Sequence, residues 1–349
     1  MFGKAKKQVV GCDVGSSAIK IVELMPLKNG EFQLLHAAIA DLSPEAIVDG
    51  AIMDSSLVVE ALSRLIDENN IKNSNFGGSL SGHSVIIKKI QLPAMTDAEL
   101  AESIQWEAEQ YIPFDINDVN LDYVVLDSEA GDTTDVLLVA VKKDRIADYT
   151  SVIVQAGREP VLVDVDVFAL QNAYETNYEV QQEAIALINI GASVMNINVL
   201  HHGVPIFWRD VAFGGNQYTE AIQRELSLSR DDAERLKFGE RVGENTFQQV
   251  LSVLNSVSED LISELQKTID FFVATSSVDH LDRVVLAGGS AQVVKLDELI
   301  HERFQVAVEV MNPFRNIRYS ESDFDPEWIN KNAPAMAVAV GLAVRKVGE

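Results

Sequence analysis

The sequence predicts a two-lobed α/β fold with a small α+β subdomain inserted in the first lobe. Three observations predict it. A strand-rich segment around Asp13 is repeated in pattern around Asn189, half a chain later. Strand patterns alternate with amphipathic helices around these two segments. The chain has 349 residues, of which 47% are hydrophobic and 23% charged, and this is enough for two lobes with cores of their own.

The repeated segments are VVGCDVGSSAIKIVEL, around Asp13, and AIALINIGASVMNINVL, around Asn189. In each, an apolar run leads to Asp or Asn, an aliphatic residue, Gly, a small residue and Ser, and a second apolar run follows. This pattern predicts a hairpin with a small-residue turn in each half. The offset of 176 residues predicts two related lobes that face each other across a cleft. A chance likeness of two tight hairpin turns is the alternative.

Most of the chain between the two hairpins, residues 85–160, has an α+β pattern of its own that predicts a separate subdomain. Ser55–Asn69 reads as an amphipathic helix of the first lobe. Thr96 and Glu99 form a capping box that opens a helix, and Pro113 ends that helix. The other predicted elements are strands at Val85–Leu92, Leu121–Leu126, Asp135–Val141 and Pro160–Val165, and a helix at Asp144–Ala156. The predicted boundaries are 1–84, 161–178 and 331–349 for the first lobe, 85–160 for the inserted subdomain, and 179–330 for the second lobe.

The second half shows further glycine turns. Gly214 and Gly215 precede a predicted helix at Asn216–Leu226, and Gly288-Gly289-Ser290 separates a strand from a helix predicted at Ala291–Phe304. Such turns let a ligand approach the backbone at a helix N-terminus, although many serve only packing. Ser256 and Glu259 predict the start of a long helix that ends near Thr275.

Charge and cysteine content exclude several classes of protein. Lys and Arg number 28 and Asp and Glu 53, a net charge of −25 that repels nucleic acid and anionic lipid. An anionic ligand must therefore be held by backbone amides, a metal ion or a few placed cations. Cys12 is the one cysteine, which favours a reducing cytoplasm, and no apolar run is long enough to span a bilayer. The sequence has neither a P-loop nor a GxGxxG motif.

Taken together, the segments resemble the actin-like ATPase superfamily, which has a ribonuclease H-like two-lobed fold. Asp13–Ser17 with Lys20 resembles the first phosphate loop of that superfamily, and Asn189–Ser193 resembles the second. Leu286–Ser290 resembles the adenosine loop, and Asp232–Lys237 the helix that contacts ribose and adenine. The resemblance implies that the protein binds ATP or ADP with Mg²⁺.

The same resemblance implies the site residues. Asp166 falls in the first connecting helix, where it would position a catalytic water, and Ala335–Val347 resembles the second connecting helix. Asp13 would hold Mg²⁺ through water. The implied nucleotide-binding residues are Asp13, Gly15, Ser16, Ser17, Lys20, Asn189, Gly191, Ala192, Ser193, Gly215, Glu234, Lys237, Gly288, Gly289 and Ser290. For Asp13 and Lys20, the alternative is an acid in a surface turn and an exposed lysine on a strand.

Asn189 departs from the superfamily pattern, because relatives that hydrolyse ATP carry Asp there. An amide adds no charge next to Mg²⁺ and accepts no proton, so we expect ATP binding with slow or absent hydrolysis. An active ATPase or a small-molecule kinase is the alternative.

Two further segments resemble a narrower family, the PilM proteins of type IV pilus assembly. These are Gln105–Tyr123 and Val310–Phe314. The resemblance implies a cytoplasmic scaffold that binds the N-terminal cytoplasmic tail of PilN, an inner-membrane protein, and so lies at the membrane through this partner. The peptide would lie in a groove or along a strand edge at the first lobe and the inserted subdomain, with Val85–Leu92 and Asp135–Val141 as candidate strands.

Trp106, Tyr111 and Phe114 are candidate anchors for that peptide, and burial in the core is the alternative for each. A division protein similar to FtsA is a further alternative for the chain as a whole. Such a protein normally attaches to the membrane through a C-terminal amphipathic helix. Here the sequence stops directly after Ala335–Val347, so we expect no such attachment.

Overall fold

A computed structural model describes residues 8–126, 133–180 and 182–347. The predicted segments 1–84 and 331–349 therefore include a few terminal residues outside the described ones. The strands of the first half are β1 Val10–Val14, β2 Ala18–Pro26, β3 Phe32–Asp41, β4 Ile47–Val48, β5 Ala51–Ile52, β6 Asn75–Leu80, β7 Val85–Pro93, β8 Val119–Val125, β9 Thr133–Lys142 and β10 Glu159–Val165. Its helices are α1 Ser55–Glu68, α2 Asp97–Glu109, α3 Lys143–Gln155 and α4 Asp166–Asn177.

The second half continues the alternation of strands and helices. Its strands are β11 Ala184–Ile190, β12 Met195–His201, β13 Val204–Val211, β14 Arg283–Ala287, β15 Ala307–Val310 and β16 Ile317–Arg318. Its helices are α5 Gly215–Leu226, α6 Arg230–Lys237, α7 Phe247–Thr275, α8 Leu296–Phe304, α9 Pro326–Asn332 and α10 Ala337–Ala343. Among these described helices, none is both long and apolar enough to cross a membrane.

Each half is built on one large sheet that contains one of the predicted hairpins. The first sheet has the strand order β10-β6-β1-β2-β3-β16, and the second has the order β13-β12-β11-β14-β15. Helices α4 and α10 lie between the two sheets, where Leu170 and Val340 share one core with Val22 of β2 and Ile185 of β11. Both hairpin predictions are confirmed, because β1 pairs antiparallel with β2 and β11 pairs antiparallel with β12.

A third sheet, with the order β7-β9-β8, lies in the segment predicted as the inserted subdomain. Helix α2 covers one face through Leu100 and Ile104. The predicted capping box of this helix is confirmed: the Thr96 backbone N–H donates to Glu99 Oε2 at 2.8 Å, and the Glu99 N–H donates to Thr96 Oγ1 at 3.3 Å. On the other face, Val139 packs against the core of the first lobe.

Two predicted helix starts are wrong. The long helix α7 begins at Phe247 and not at Ser256, because the backbone N–H of Thr246 is capped by Gln249 Oε1 at 2.7 Å. Helix α8 begins at Leu296 and not at Ala291. Residues 289–292 form a short 3₁₀ turn, and Lys295, whose φ of 66° is left-handed, lies between this turn and α8.

Candidate functional site

The two hairpin turns meet at the cleft between the lobes. Ser16 Oγ of the first turn lies 2.9 Å from Ser193 Oγ of the second. A cavity of about 120 Å³ lies beside this contact. Of the sequence-predicted residues, the structure brings twelve into its lining: Asp13, Gly15, Ser16, Ser17, Lys20, Asp166, Asn189, Gly191, Ala192, Ser193, Gly288 and Gly289.

The first hairpin presents an ion pair to the cleft. Asp13 and Lys20 are opposite each other in the register of β1 and β2. Lys20 Nζ donates to Asp13 Oδ2 at 3.1 Å, and both side chains are largely shielded from solvent. The turn itself closes with the Gly15 N–H donating to the Ala18 carbonyl at 3.0 Å. Within the described cleft lining Lys20 is the one cation, so it is the natural partner for an anion in this cleft.

The second hairpin presents amides at the corresponding places. Asn189 is opposite Asn196 in the register of β11 and β12, and Asn189 Nδ2 donates to Asn196 Oδ1 at 3.0 Å. Asn196 Nδ2 in turn donates to Asp210 Oδ1 at 2.8 Å. Gly288, with φ +88°, follows β14 directly behind this hairpin, and a Cβ there would lie 2.3 Å from the Ile190 carbonyl oxygen. Only glycine therefore lets the backbone pass so close to the second turn.

Two of the predicted residues support the second turn from behind. The Gly215 N–H donates to the Gly191 carbonyl at 2.9 Å, and Ser290 Oγ donates to the same carbonyl at 3.0 Å. The cavity lining does not contain either residue. Gly215 and Ser290 therefore lie behind the second turn, with their hydrogen-bonding groups turned to its backbone.

Lys237 and Glu234 also lie outside the lining. Lys237 Nζ lies 2.6 Å from Glu234 Oε2 and donates to Thr219 Oγ1 at 3.1 Å. The lysine side chain is only 3% exposed, and burial lowers its pKa. The pair lies behind Gly215, since Lys237 Nζ also donates to the Gly215 carbonyl at 3.3 Å.

Asp166 stands at the start of α4, facing the first hairpin. Ser79 Oγ donates to Asp166 Oδ1 at 2.6 Å. Burial and the nearby charge of Asp13 raise the pKa of Asp166 from 3.8 to about 6. The sequence reasoning missed Ser79, the second-last residue of β6, and it also missed Asn196. The repeat contained a signal for Asn196, since this residue is 176 positions after Lys20.

A larger groove, of about 830 Å³, separates the inserted subdomain from the first lobe. Strand β8 is the edge of one sheet and β10 is the edge of the other. Consecutive residues of both strands line the groove, 120–124 of β8 and 162–165 of β10. Two strand edges thus border one channel, which is a geometry that suits an extended peptide.

The groove is lined by both apolar and polar side chains. Phe168 of α4 and Ile146 of α3 line it together with Val139. Arg345 Nη1 donates to Asp164 Oδ2 at 2.7 Å, and burial raises the pKa of that carboxyl although Arg345 opposes the rise. Asn172 Nδ2 is buried in the groove wall without a hydrogen-bond partner.

The structure shows where the residues predicted to contact the peptide lie. Val85–Leu92 falls in β7, the edge strand opposite β8 in its sheet. Strand β9, which contains Asp135–Val141, pairs with β7 on one side and β8 on the other, so it has no free edge, although residues 137, 139 and 141 line the groove. The groove lining does not include Trp106, Tyr111 or Phe114. Trp106 is 74% exposed on α2, and Phe114 packs against the core of the inserted subdomain.

Comparison with known proteins identifies the family of the chain. The family model for the type IV pilus assembly protein PilM matches residues 11–347. A solved structure of the PilM-PilN type IV pilus biogenesis complex is similar at 27% identity, covers 99% of this chain and 100% of that chain, and has a TM-score of 0.87.

More distant structures share the fold alone. The ethanolamine utilization protein EutJ from Carboxydothermus hydrogenoformans is 12% identical over 98% of this chain and 90% of that chain, with a TM-score of 0.58. MreB5 of Spiroplasma citri bound to ADP is 11% identical over 96% and 94% of the two chains, with a TM-score of 0.53. The predicted fold class is confirmed by these matches.

Proposed function

The chain belongs to the PilM family of type IV pilus assembly proteins, and we propose that it is a nucleotide-binding scaffold that captures the N-terminal cytoplasmic segment of PilN. The observation that carries the proposal is the groove between the edges of β8 and β10. The solved PilM-PilN complex, which this chain resembles over 99% of its length, supports PilN as the occupant. Binding of PilN would place the protein at the membrane through its partner.

The groove has the chemistry of a site for an extended peptide. The free edges of β8 and β10 offer backbone N–H and C=O groups to a strand that enters between them. Apolar peptide side chains would then pack on Phe168 and Val139.

The cleft has the chemistry of a nucleotide site. Mg²⁺ bound to phosphates usually keeps several waters and takes one or two carboxylates, which suits Asp13. The amides of 15–17 and of 191–193 would line the phosphates from opposite lobes, and Lys20 would offset part of their charge.

The cleft is too narrow for a nucleotide in this conformation. A ligand of that size needs a pocket of several hundred Å³, whereas the cavity here has about 120 Å³. Binding would therefore separate the turns and break the contact between Ser16 and Ser193. The lobe angle would then report nucleotide occupancy. Since Asn189 adds no negative charge near the metal, we propose that hydrolysis is slow or absent.

The test of the peptide site is a binding titration with a labelled peptide of the N-terminal cytoplasmic segment of PilN. Val124 lines the groove and is 55% exposed, so Val124→Glu should fold and place a carboxylate against the peptide. We expect peptide affinity to fall by about tenfold or more, as for a desolvated contact that loses its partner. Val125→Glu, on the same strand but outside the lining and 46% exposed, is the matched control. Absence of binding by the unsubstituted protein would refute the scaffold role.

A further inference from the structure

Strand β1 loses its neighbour just before the first phosphate-facing turn. It pairs with β6 only at Val10↔Phe76 and Gly11↔Gly77. Beyond Gly11 the two strands diverge, so the backbone groups of β1 on that side need other partners. These groups are next to Asp13, the carboxylate that the first hairpin presents to the cleft.

One side chain supplies the missing partners. The hydroxyl of Tyr149, on α3, donates to the Cys12 carbonyl at 2.8 Å and accepts from the Val14 N–H at 3.1 Å. It thereby replaces a strand on both sides of Asp13. The contact spans more than 130 residues of sequence.

The packing leaves space for this tyrosine and holds it. A Cβ at Gly78 would lie 2.2 Å from Tyr149 Cε1, so the ring occupies the volume that any other residue at position 78 would fill. The side chain is 4% exposed, and burial raises the pKa of the hydroxyl well above its ordinary value. The hydroxyl therefore keeps its proton at neutral pH and remains a donor to Cys12.

We propose that Tyr149 is the positioning residue of the nucleotide site, holding Asp13 and the amides of residues 15–17 in place for the phosphates. The inference rests on the proposed nucleotide-binding function and names the residue that sets the geometry of its first turn. Tyr149 itself acts through the backbone of β1. Without it, β1 would end in two unpaired groups beside Asp13, and the turn would move relative to Lys20.

A core tyrosine that only stabilises the first lobe is the competing role, and Tyr178→Phe controls for it. The Tyr178 hydroxyl accepts from the backbone N–H of Asn312 at 2.9 Å, and its side chain is 9% exposed. Loss of either hydroxyl leaves a shielded backbone N–H without its partner. Neither Tyr178 nor Asn312 lines the cleft.

The experiment compares Tyr149→Phe with Tyr178→Phe in the full chain. Binding of a fluorescent ATP analogue with Mg²⁺, binding of the PilN peptide, and the melting temperature are measured for each. We expect similar losses of melting temperature, unchanged peptide affinity, and about a tenfold weaker nucleotide affinity for Tyr149→Phe alone, as for the loss of one to two hydrogen bonds. A nucleotide affinity within twofold of that of Tyr178→Phe overturns the inference.

A second measurement tests the inference even if the variant does not fold or the protein binds no nucleotide. The hydrogen exchange of the Val14 amide is followed by NMR in the unsubstituted protein without nucleotide. Slow exchange is expected because a buried hydroxyl accepts from this amide. Exchange as fast as that of an exposed loop overturns the inference. If the unsubstituted protein fails to bind nucleotide while Val14 is protected, the proposed function fails and the positioning of the turn stands.

Discussion

The two hairpins of the cleft have the same backbone arrangement and different chemistry. In both, the residue before the turn is paired across the hairpin with the residue seven positions later, Asp13 with Lys20 and Asn189 with Asn196. The first pair carries two charges and the second pair none. In the proposed nucleotide site, the first hairpin would therefore offset phosphate charge and hold the metal ion, whereas the second would offer neutral hydrogen-bond donors.

The hairpins also differ in what holds them. Strand β11 pairs with β14 along its length up to Asn189. Strand β1 pairs with β6 for two residues, and Tyr149 takes over from there. One turn is thus supported by a sheet and the other by a single side chain from a helix. A repeated structural unit can keep its register while both its charges and its supports differ between the two copies.

The variant with the largest expected effect removes the positive charge of the first hairpin. Lys20→Met should weaken binding of Mg-ATP by about thirtyfold, because it deletes the cation of the described lining and leaves Asp13 unpaired. Titration with a fluorescent ATP analogue measures this affinity. Lys267→Met, at an exposed lysine paired with Glu264 on α7, is the control and should change nothing. Equal affinities for the two variants would contradict the role of the ion pair.

A pH experiment tests whether the charge of Asp13 in the first hairpin affects the pKa of Asp166. The pKa of Asp166 is about 6 in the folded protein against 3.8 ordinarily, so Asp166 favours folding fully below pH 3.8, and this contribution is lost as the pH rises to 6. The free energy of unfolding from urea titrations should therefore include a fall on the order of 2 kcal/mol over this window, absent in Asp166→Asn. Asp13→Asn should move the fall to lower pH. Asp144→Asn, at an exposed position, is the control and should keep the fall. A fall that persists in Asp166→Asn would contradict the assignment of this pH dependence to Asp166.

Making the second hairpin resemble the first tests the role of Asn189. Asn189→Asp places a carboxylate in the cleft, and we expect phosphate release from ATP to increase by about tenfold, since a second carboxylate helps to hold the metal ion. Asn189→Ala, which removes the amide without adding charge, should not increase it. Should turnover by Asn189→Asp equal that of the unsubstituted protein, Asn189 would not explain slow hydrolysis.

The smallest expected effect concerns the contact between the turns. Ser16 Oγ and Ser193 Oγ are 2.9 Å apart across the lobes. A double-mutant cycle of Ser16→Ala and Ser193→Ala, measured by urea unfolding without nucleotide, should give a coupling energy of about 0.5–1 kcal/mol. With a saturating ATP analogue the coupling should vanish, because the turns would have separated. Coupling that persists in both conditions would show that the nucleotide does not pass between the serines.

Much of the fold and of the cleft could be predicted from the sequence, since each hairpin is a local pattern and the repeat places one against the other. The ion pair of Asp13 and Lys20 also lies within one hairpin. Tyr149 could not be predicted, because its role depends on where β1 and β6 diverge, which only the folded chain determines. The start of α7 at Phe247 was missed because a second apparent cap, at Ser256, lies inside the helix.

The groove between β8 and β10 has a consequence for the behaviour of the protein before it meets a partner. Exposed strand edges promote aggregation, and most proteins cover them or place charges there. This chain keeps two edges open beside a groove lined in part by apolar side chains. We expect the isolated protein to be less soluble than the protein produced together with the PilN segment. The partner would then increase the amount of soluble protein as well as determine where the protein is located.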